Sequence, residues 1–382
     1  MSEFLIIGGG VIGLLVAREL AAAGAKVTVV EQGGCCQESS WAGGGIVSPL
    51  YPWRYSPAVT ALASQAQLAY PRLAAQLLDE TGIDPELERT GLLMLDAKDE
   101  DEALQWAVTN GKALHPVDPA FIYEREAGLA QGFLKGLWMP DIANIRNPRL
   151  GQALQSSLQR NPLVHICEQT RVLSLHTGTG FGHGARSVSH VEVLCEGVVE
   201  RLAAEHVIIT AGAWTGGLLE ALDVILPVVP VKGQMLLFRP PQRLINTMVL
   251  TDGRYLIPRR DNNLLMGSTL EHTAFDKSTT EEALRSLRRS AEALLPALAE
   301  CRVERQWAGL RPGAPDGVPF IGRVPGFENV YVNAGQYRNG LVLAPASAQL
   351  LVDIVLGRRP SVDPKPYDPV SRNVMVRDSP RG

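Results

Sequence analysis

Gly8, Gly10 and Gly13 stand in the order G-x-G-x-x-G, and an acid, Glu31, follows about 20 residues later. Gly8 permits a tight turn, Gly10 lets a pyrophosphate approach the backbone, and Gly13 lets a helix pack against a strand. The helix N-terminus offers unpaired N–H groups and partial positive charge to phosphates. The Glu31 carboxylate can accept hydrogen bonds from a ribose, and its charge repels a 2′-phosphate. The set reads as a dinucleotide site without choosing between FAD and NAD. The elements that position it lie in the same stretch. Residues 4–7 form an apolar run short enough for a buried strand only. Leu14, Ala17, Leu20 and Ala21 share a helical face, Gly24 closes that helix as a left-handed cap, and residues 26–30 are a second strand ending at Glu31. A glycine-rich turn in another α/β protein is the bland alternative; the complete strand, helix, strand and acid speak against it.

Three later stretches have the same character. Residues 39–47, SSWAGGGIV, are either a loop whose backbone nears a ligand or a plain flexible turn. Residues 205–217, EHVIITAGAWTGG, predict a buried strand, a break at Ala211-Gly212-Ala213 and a helix near Trp214. Alone that is a βα turn; beside the first motif it fits a second contact with the same nucleotide. Residues 330–340, VYVNAGQYRNG, predict a strand, a polar glycine turn and a helix over 341–356. Elsewhere, Ser56 and Pro57 open a helical segment to residue 80 that Pro71 is expected to break or kink. Strands are expected at 91–96, 163–175, 191–195, 227–238, 248–258 and 264–268, and helices at 99–111 and 148–159. Residues 137–147 read as loop. Residues 278–295 form an amphipathic helix with Thr279 and Glu282 at capping-box spacing.

Residues 176–190, HTGTGFGHGARSVSH, carry three histidines. The glycine, serine and threonine content reads as a solvated hairpin loop, and no carboxylate or cysteine within it completes a ligand set, so no metal is expected. The five cysteines, Cys35, Cys36, Cys167, Cys195 and Cys301, are odd in number and show no metal spacing. They read as reduced thiols. The 382 residues, 46% hydrophobic and 20% charged, suffice for two domains. A net charge of -4 without a basic aromatic patch gives no case for nucleic acid. No apolar run reaches membrane-spanning length, and the apolar start lacks a basic n-region, so a cytoplasmic protein is expected.

With these runs in view, the chain resembles the D-amino-acid-oxidase-like FAD oxidoreductases over nearly its whole length. Within them it is most similar to the glycine oxidase branch associated with thiazole formation in thiamine biosynthesis. The resemblance rests on GGGVIG at 8–13, SSWAGGGIV at 39–47, ITAGAW at 209–214, RYLIPR at 254–259, WAGLRPG at 307–313 and GQYRNGLVLAP at 335–345. It implies an α/β fold with a Rossmann-type FAD domain (1–85, 146–222 and 306–365), a mixed or antiparallel-sheet substrate domain (86–145 and 223–305) and a tail from 366. By the same resemblance Val11 and Ile12 follow the turn against the pyrophosphate, and Glu31 with Gln32 meets the adenosine. Ser39, Ser40, Gly44, Gly45 and Ile46 lie along the cofactor, Val172 makes the adenine-side backbone contact, and Gly212 approaches the nucleotide. Gln336, Tyr337, Arg338, Asn339, Gly340, Leu341 and Val342 wrap the flavin ring. Arg311 anchors the substrate carboxylate, Tyr255 is its hydroxyl partner, and Arg338 lies beside the flavin facing the substrate. Asp252, Gly253, Arg254 and Leu270 depart from the branch pattern and are expected at the pocket wall. Residues 311–323 hold no cysteine, so FAD is expected to be noncovalent.

The chemistry so implied is oxidation of glycine, sarcosine, N-ethylglycine or small D-amino acids. A hydride passes to the flavin with help from the neutral amine, no protein base is needed, and oxygen reoxidises the cofactor to give hydrogen peroxide. From the residues alone, Arg311 reads more readily as a stacking or salt-bridge residue than as a site, and Tyr255 still more readily as packing. The alternatives are a D-amino-acid dehydrogenase passing electrons to a quinone, and a non-catalytic flavin-binding protein. The resemblance further implies a homotetramer.

Overall fold

The computed structural model describes residues 2–179 and 186–377. Its first sheet has six strands in the spatial order Phe320–Arg323, Val330–Ala334, Ala204–Ile209, Ser2–Ile7, Val27–Val30 and Val164–Cys167. All neighbours are parallel except Phe320–Arg323 with Val330–Ala334. These strands are apolar runs because both faces are covered. Phe4 and Ile6 pack under the helices, among them Val11–Ala22, Pro57–Thr81 and Gly340–Val355. Leu5 and Ile7, pointing the other way, meet Val191 and Val193 of a three-stranded antiparallel sheet, Thr170–Thr179, Arg186–Cys195 and Val198–Leu202.

The second sheet has eight strands in the order Val303–Gly313, Val229–Phe238, Leu264–Gly267, Arg254–Pro258, Met248–Thr251, Leu92–Leu95, Gly136–Met139 and His115–Val117. Its strands alternate. Leu236, Phe238 and Leu256 pack with Leu287, Ala291 and Leu294 of the helix Glu281–Leu294. Met235, Tyr255 and Ile257 face the opposite way, toward the first sheet and the space between the two.

Several local expectations change. Residues 137–147 are not all loop, because Gly136–Met139 adds a strand beside Leu92–Leu95. Residues 163–175 split into two strands at Gln169, which takes φ 53°. His176 and His190 are not in a loop: their strands continue past them and pair, and only 180–185, with His183, lies outside the described residues. Pro71 breaks nothing; Pro57–Thr81 runs through it, with the buried Tyr70 hydroxyl donating to Leu341 O. The cap of Glu281–Leu294 is Thr280, not Thr279. Gln234 also binds Thr280, through its amide and its hydroxyl, so tertiary contact shifts the cap by one residue.

Asp99 precedes the helix Glu100–Asn110 but makes no cap hydrogen bond. Its carboxylate instead accepts from Arg54 Nε (2.5 Å), Arg54 Nη2 (2.7 Å) and Trp53 Nε1 (2.6 Å). The hydrogen bonds from Arg54 lower its pKa from the ordinary 3.8 to about 2. The folded state thus holds the ionised form, and this stabilisation is full above the unfolded pKa and lost as pH falls through the folded one. Urea unfolding should show wild type more stable than Asp99→Asn at neutral pH, with the gap closing between about pH 4 and about pH 2.

Candidate functional site

A cavity of about 510 Å³ runs between the two sheets. At one end the strand Ser2–Ile7 stops, and the turn at Gly8–Gly10 feeds the helix Val11–Ala22. The turn is tight for a stated reason. Gly8 has φ +112°, and a β-carbon at Gly13 would lie 2.0 Å from Gly8 O. Thr210 Oγ1 donates to Gly8 O at 2.9 Å and ties the turn to the adjoining strand end. The helix start has no side-chain cap from Gly10 and no acid in its first turn, so its amides and partial positive charge face the cavity. Val11 N donates to Ser40 Oγ at 2.9 Å. Glu31 Oε2 accepts from Gly9 N at 2.8 Å and Oε1 from Gly33 N at 2.9 Å, which holds the carboxylate at the cavity wall.

The middle of the wall is the loop after the short helix Ser39–Ala42. A β-carbon at Gly44 would strike Ile257 Cδ1 at 2.8 Å, and one at Gly45, which has φ +81°, would lie 2.0 Å from Ile145 O. Arg259 fixes this loop. Its buried guanidinium donates to Gly44 O (2.7 Å), Ile145 O (3.0 Å) and Asn144 Oδ1 (2.7 Å). Burial pulls its pKa down to about 10, so it remains a cation at neutral pH.

At the far end Arg311, on Val303–Gly313, lies across Val229–Phe238. Its guanidinium occupies the space where a Gly233 side chain would start: a β-carbon there would be 2.1 Å from Nη2. Nη1 donates to Lys232 O (3.2 Å) and Thr269 O (3.3 Å), and Nη2 to Ser268 Oγ (2.7 Å). Burial is the main cause lowering its pKa. The Tyr255 ring lies over Gly267, and its hydroxyl has a weak contact, 3.9 Å to Met235 Sδ. Arg338, half-buried, makes no hydrogen bond or ion pair among the described residues. The mouth is closed on one side by residues 271–280. Phe275 stacks on Trp214 with ring centroids 5.5 Å apart, Lys277 pairs with Glu38 at 2.7 Å, and Lys232, 1% exposed, pairs with Asp276 at 2.8 Å.

The cavity is lined by every residue the sequence placed at the cofactor except Gly13, which is behind the turn, and Asn339, which is buried outside the lining. Arg311, Tyr255 and Arg338 come together at one end. The expectation for 252–254 and Leu270 changes. Asp252 and Gly253 line a neighbouring hollow that shares Arg338 and Leu50 with the cavity. Arg254 Nη1 turns to Ser268 O at 2.6 Å. Leu270 is 48% exposed, because Thr269 returns to Gln234 once the strand Leu264–Gly267 has ended. Ser268, Gly233, Phe275 and the anchoring role of Arg259 were not found from sequence; each depends on strand pairings that no local pattern encodes. No histidine or cysteine is among the described residues that line the cavity. Cys36 is buried, and burial pushes its thiol up to about 12.

The arrangement places backbone amides for phosphates, a carboxylate for a ribose, and two cations 280 and more residues away in sequence at the other end of one slot. The family model described as FAD dependent oxidoreductase matches residues 3–354. The chain is 52% identical to the glycine oxidase of Pseudomonas aeruginosa over 374 residues, covering 97% of this chain and 100% of that one. It is 50% identical to the glycine oxidase of Pseudomonas putida, covering 97% and 99%. The crystal structure of glycine oxidase from Geobacillus kaustophilus superposes with a TM-score of 0.86 at 28% identity, covering 96% and 98%.

Replacing Arg259 with Met removes the donor of two buried acceptors and one part-buried acceptor while keeping much of the side-chain volume. Unsatisfied buried acceptors cost about 1–3 kcal/mol each. Denaturant unfolding should show Arg259→Met less stable by at least about 2 kcal/mol, and the variant should release the dinucleotide more readily on dialysis.

Proposed function

The chain belongs to the FAD dependent oxidoreductase family, and we propose that it oxidises glycine and small relatives such as sarcosine, N-ethylglycine and small D-amino acids, with oxygen as the electron acceptor. FAD is its cofactor, and the residues present fit it. Amides and a helix start meet the pyrophosphate, Glu31 meets the ribose, and glycines at 44 and 45 stand where a side chain has no room. The lobe of residues 1–85, 146–222 and 306–365 holds FAD in this reading, and 86–145 with 223–305 covers the substrate.

The observation that carries the substrate assignment is Arg311 at the end of the slot. Two carbonyls and a hydroxyl fix its guanidinium, so its charge is set in place before any ligand arrives. A planar guanidinium grips a carboxylate in a defined orientation. The Tyr255 hydroxyl lies beside the Arg311 guanidinium, and its proton, with only a weak thioether contact, can donate to the same carboxylate. Arg338 adds a second positive charge without a hydrogen bond or ion pair among the described residues, and the acids that line the cavity are already engaged, Glu31 by Gly9 N and Gly33 N and Glu38 by Lys277. Trp214, Phe275 and Met235 give the cavity apolar lining, with Phe275 stacked on Trp214. Bound FAD supplies the two-electron oxidant for the α-C–H bond, and oxygen finally takes the electrons as hydrogen peroxide. Water then splits the resulting imine into an oxo acid and ammonia or an amine. With no histidine or cysteine at hand, the amine must lose its extra proton to solvent before it can assist. A homo-oligomer in the cytoplasm completes the reading; no described helix is long and apolar enough to cross a membrane.

Arg311→Ala should raise KM for glycine about 100-fold, the scale of a lost buried charge partner, while the yellow flavin absorption stays. Wild-type kinetics in that variant would remove the assignment. Anaerobic addition of glycine, sarcosine or D-alanine should bleach the flavin, and air should restore it with peroxide formation; dye reduction without peroxide would support a dehydrogenase instead. The rate at limiting substrate should rise with pH as the substrate ammonium deprotonates.

A further inference from the structure

Away from the cavity, the three-stranded sheet gathers one cluster of metal-binding side chains. His176 and His190 lie directly opposite each other on Thr170–Thr179 and Arg186–Cys195. Their rings are parallel, with centroids 4.3 Å apart. Glu192, two residues after His190, projects from the same face. Its Oε2 is 3.1 Å from His176 Nε2. One ligand atom from each of the three lies within 4.8 Å of the others.

Ser189 Oγ lies 3.2 Å from His176 O, to which it can donate, and 3.1 Å from His190 Nδ1. With its proton on Nδ1, His190 donates to that hydroxyl and leaves the Nε2 lone pair free. His190 Nε2 is buried with no hydrogen-bond partner among the described residues. An imidazole whose one nitrogen donates to an oxygen and whose other is free is the form that binds a metal ion. Glu192 is oriented too. Arg201 Nε donates to Oε1 at 3.2 Å, which turns Oε2 toward the rings, and Ser174 Oγ donates to Oε2 at 3.2 Å.

We propose that His176 Nε2, His190 Nε2 and Glu192 Oε2 bind one divalent transition-metal ion of the zinc class, at a site separate from amine oxidation. Two imidazoles and a carboxylate suit Zn²⁺, Ni²⁺ or Cu²⁺ rather than Mg²⁺ or Ca²⁺, which take oxygen ligands. At His176 the ion replaces the proton that Nε2 shares with Ser174 Oγ and Glu192; that proton moves to Nδ1 or to solvent. The ion then ties two strands of the hairpin together. One of them begins with Thr170, Arg171 and Val172, which line the nucleotide end of the cavity.

The test is calorimetric titration of the untagged, EDTA-treated holoprotein with ZnCl₂. One equivalent per chain is expected, with affinity weakened at least about 10-fold in His190→Ala and in Glu192→Gln. Zinc should raise the thermal midpoint of wild type but not of the variants, and CaCl₂ should raise neither. Flavin absorption and glycine turnover of both variants should match wild type, which separates ligand loss from misfolding. Electron paramagnetic resonance of the wild-type protein with one equivalent of Cu²⁺ reads imidazole nitrogens directly and needs no variant. Absence of stoichiometric zinc binding, undiminished binding in the variants, equal binding of Ca²⁺, or a copper signal without imidazole coupling would each overturn the proposal.

Discussion

One buried guanidinium holds the two halves of the site in register. Arg259 leaves the end of a strand in the eight-stranded sheet and reaches the Gly44 and Ile145 carbonyls and Asn144 on segments at or beside the cavity wall. Three acceptors converging on one buried cation leave little freedom to slide. The slot between the sheets is therefore held at one width, and groups at its two ends line one cavity. A charge buried this deeply is costly unless compensated, and here those dipoles together with the more distant carboxylates of Glu86, Asp261 and Glu88 offset the burial.

The same logic recurs at Arg311. A side chain at residue 233 would push the guanidinium out of place, and its tethers are backbone carbonyls rather than an acid. A cation fixed by dipoles keeps its full charge for an anion; one fixed by a carboxylate would be neutralised already. The contrast with Lys232 is instructive. That residue is buried more deeply but is neutralised by Asp276, with Glu271 further off, and serves to hold a loop over the mouth.

The fold was readable where chemistry is local. The G-x-G-x-x-G turn, its helix and Glu31 are contiguous, and their positions follow from sterics that a short stretch encodes. The residues that line that end of the cavity were legible for that reason. Arg311, Tyr255 and Arg338 came only from family likeness, since an arginine or tyrosine in a strand has no pattern that separates site from packing. What stayed hidden depends on pairing across the sheets. Gly233 matters because Arg311 lies opposite, and Phe275 matters because Trp214 is there to stack on. The histidines at 176 and 190 looked solvated because glycines and serines surround them, yet strand pairing overrode that composition and delivered Glu192 from outside the run. Pro71 and Thr279 failed in a similar way: local preference yielded to the packing of Tyr70 and to Gln234.

The order of strands in the first sheet also has a temporal consequence. Ser2–Ile7 emerges first, but its neighbour Ala204–Ile209 is made some two hundred residues later, and Val330–Ala334 later still. A growing chain on the ribosome must therefore carry an apolar, half-paired strand for most of its synthesis. Such distant pairing slows folding and leaves strand edges open to wrong partners. The cavity, whose wall includes both Gly8 and Gln336, is therefore complete only once nearly all of the chain has been made.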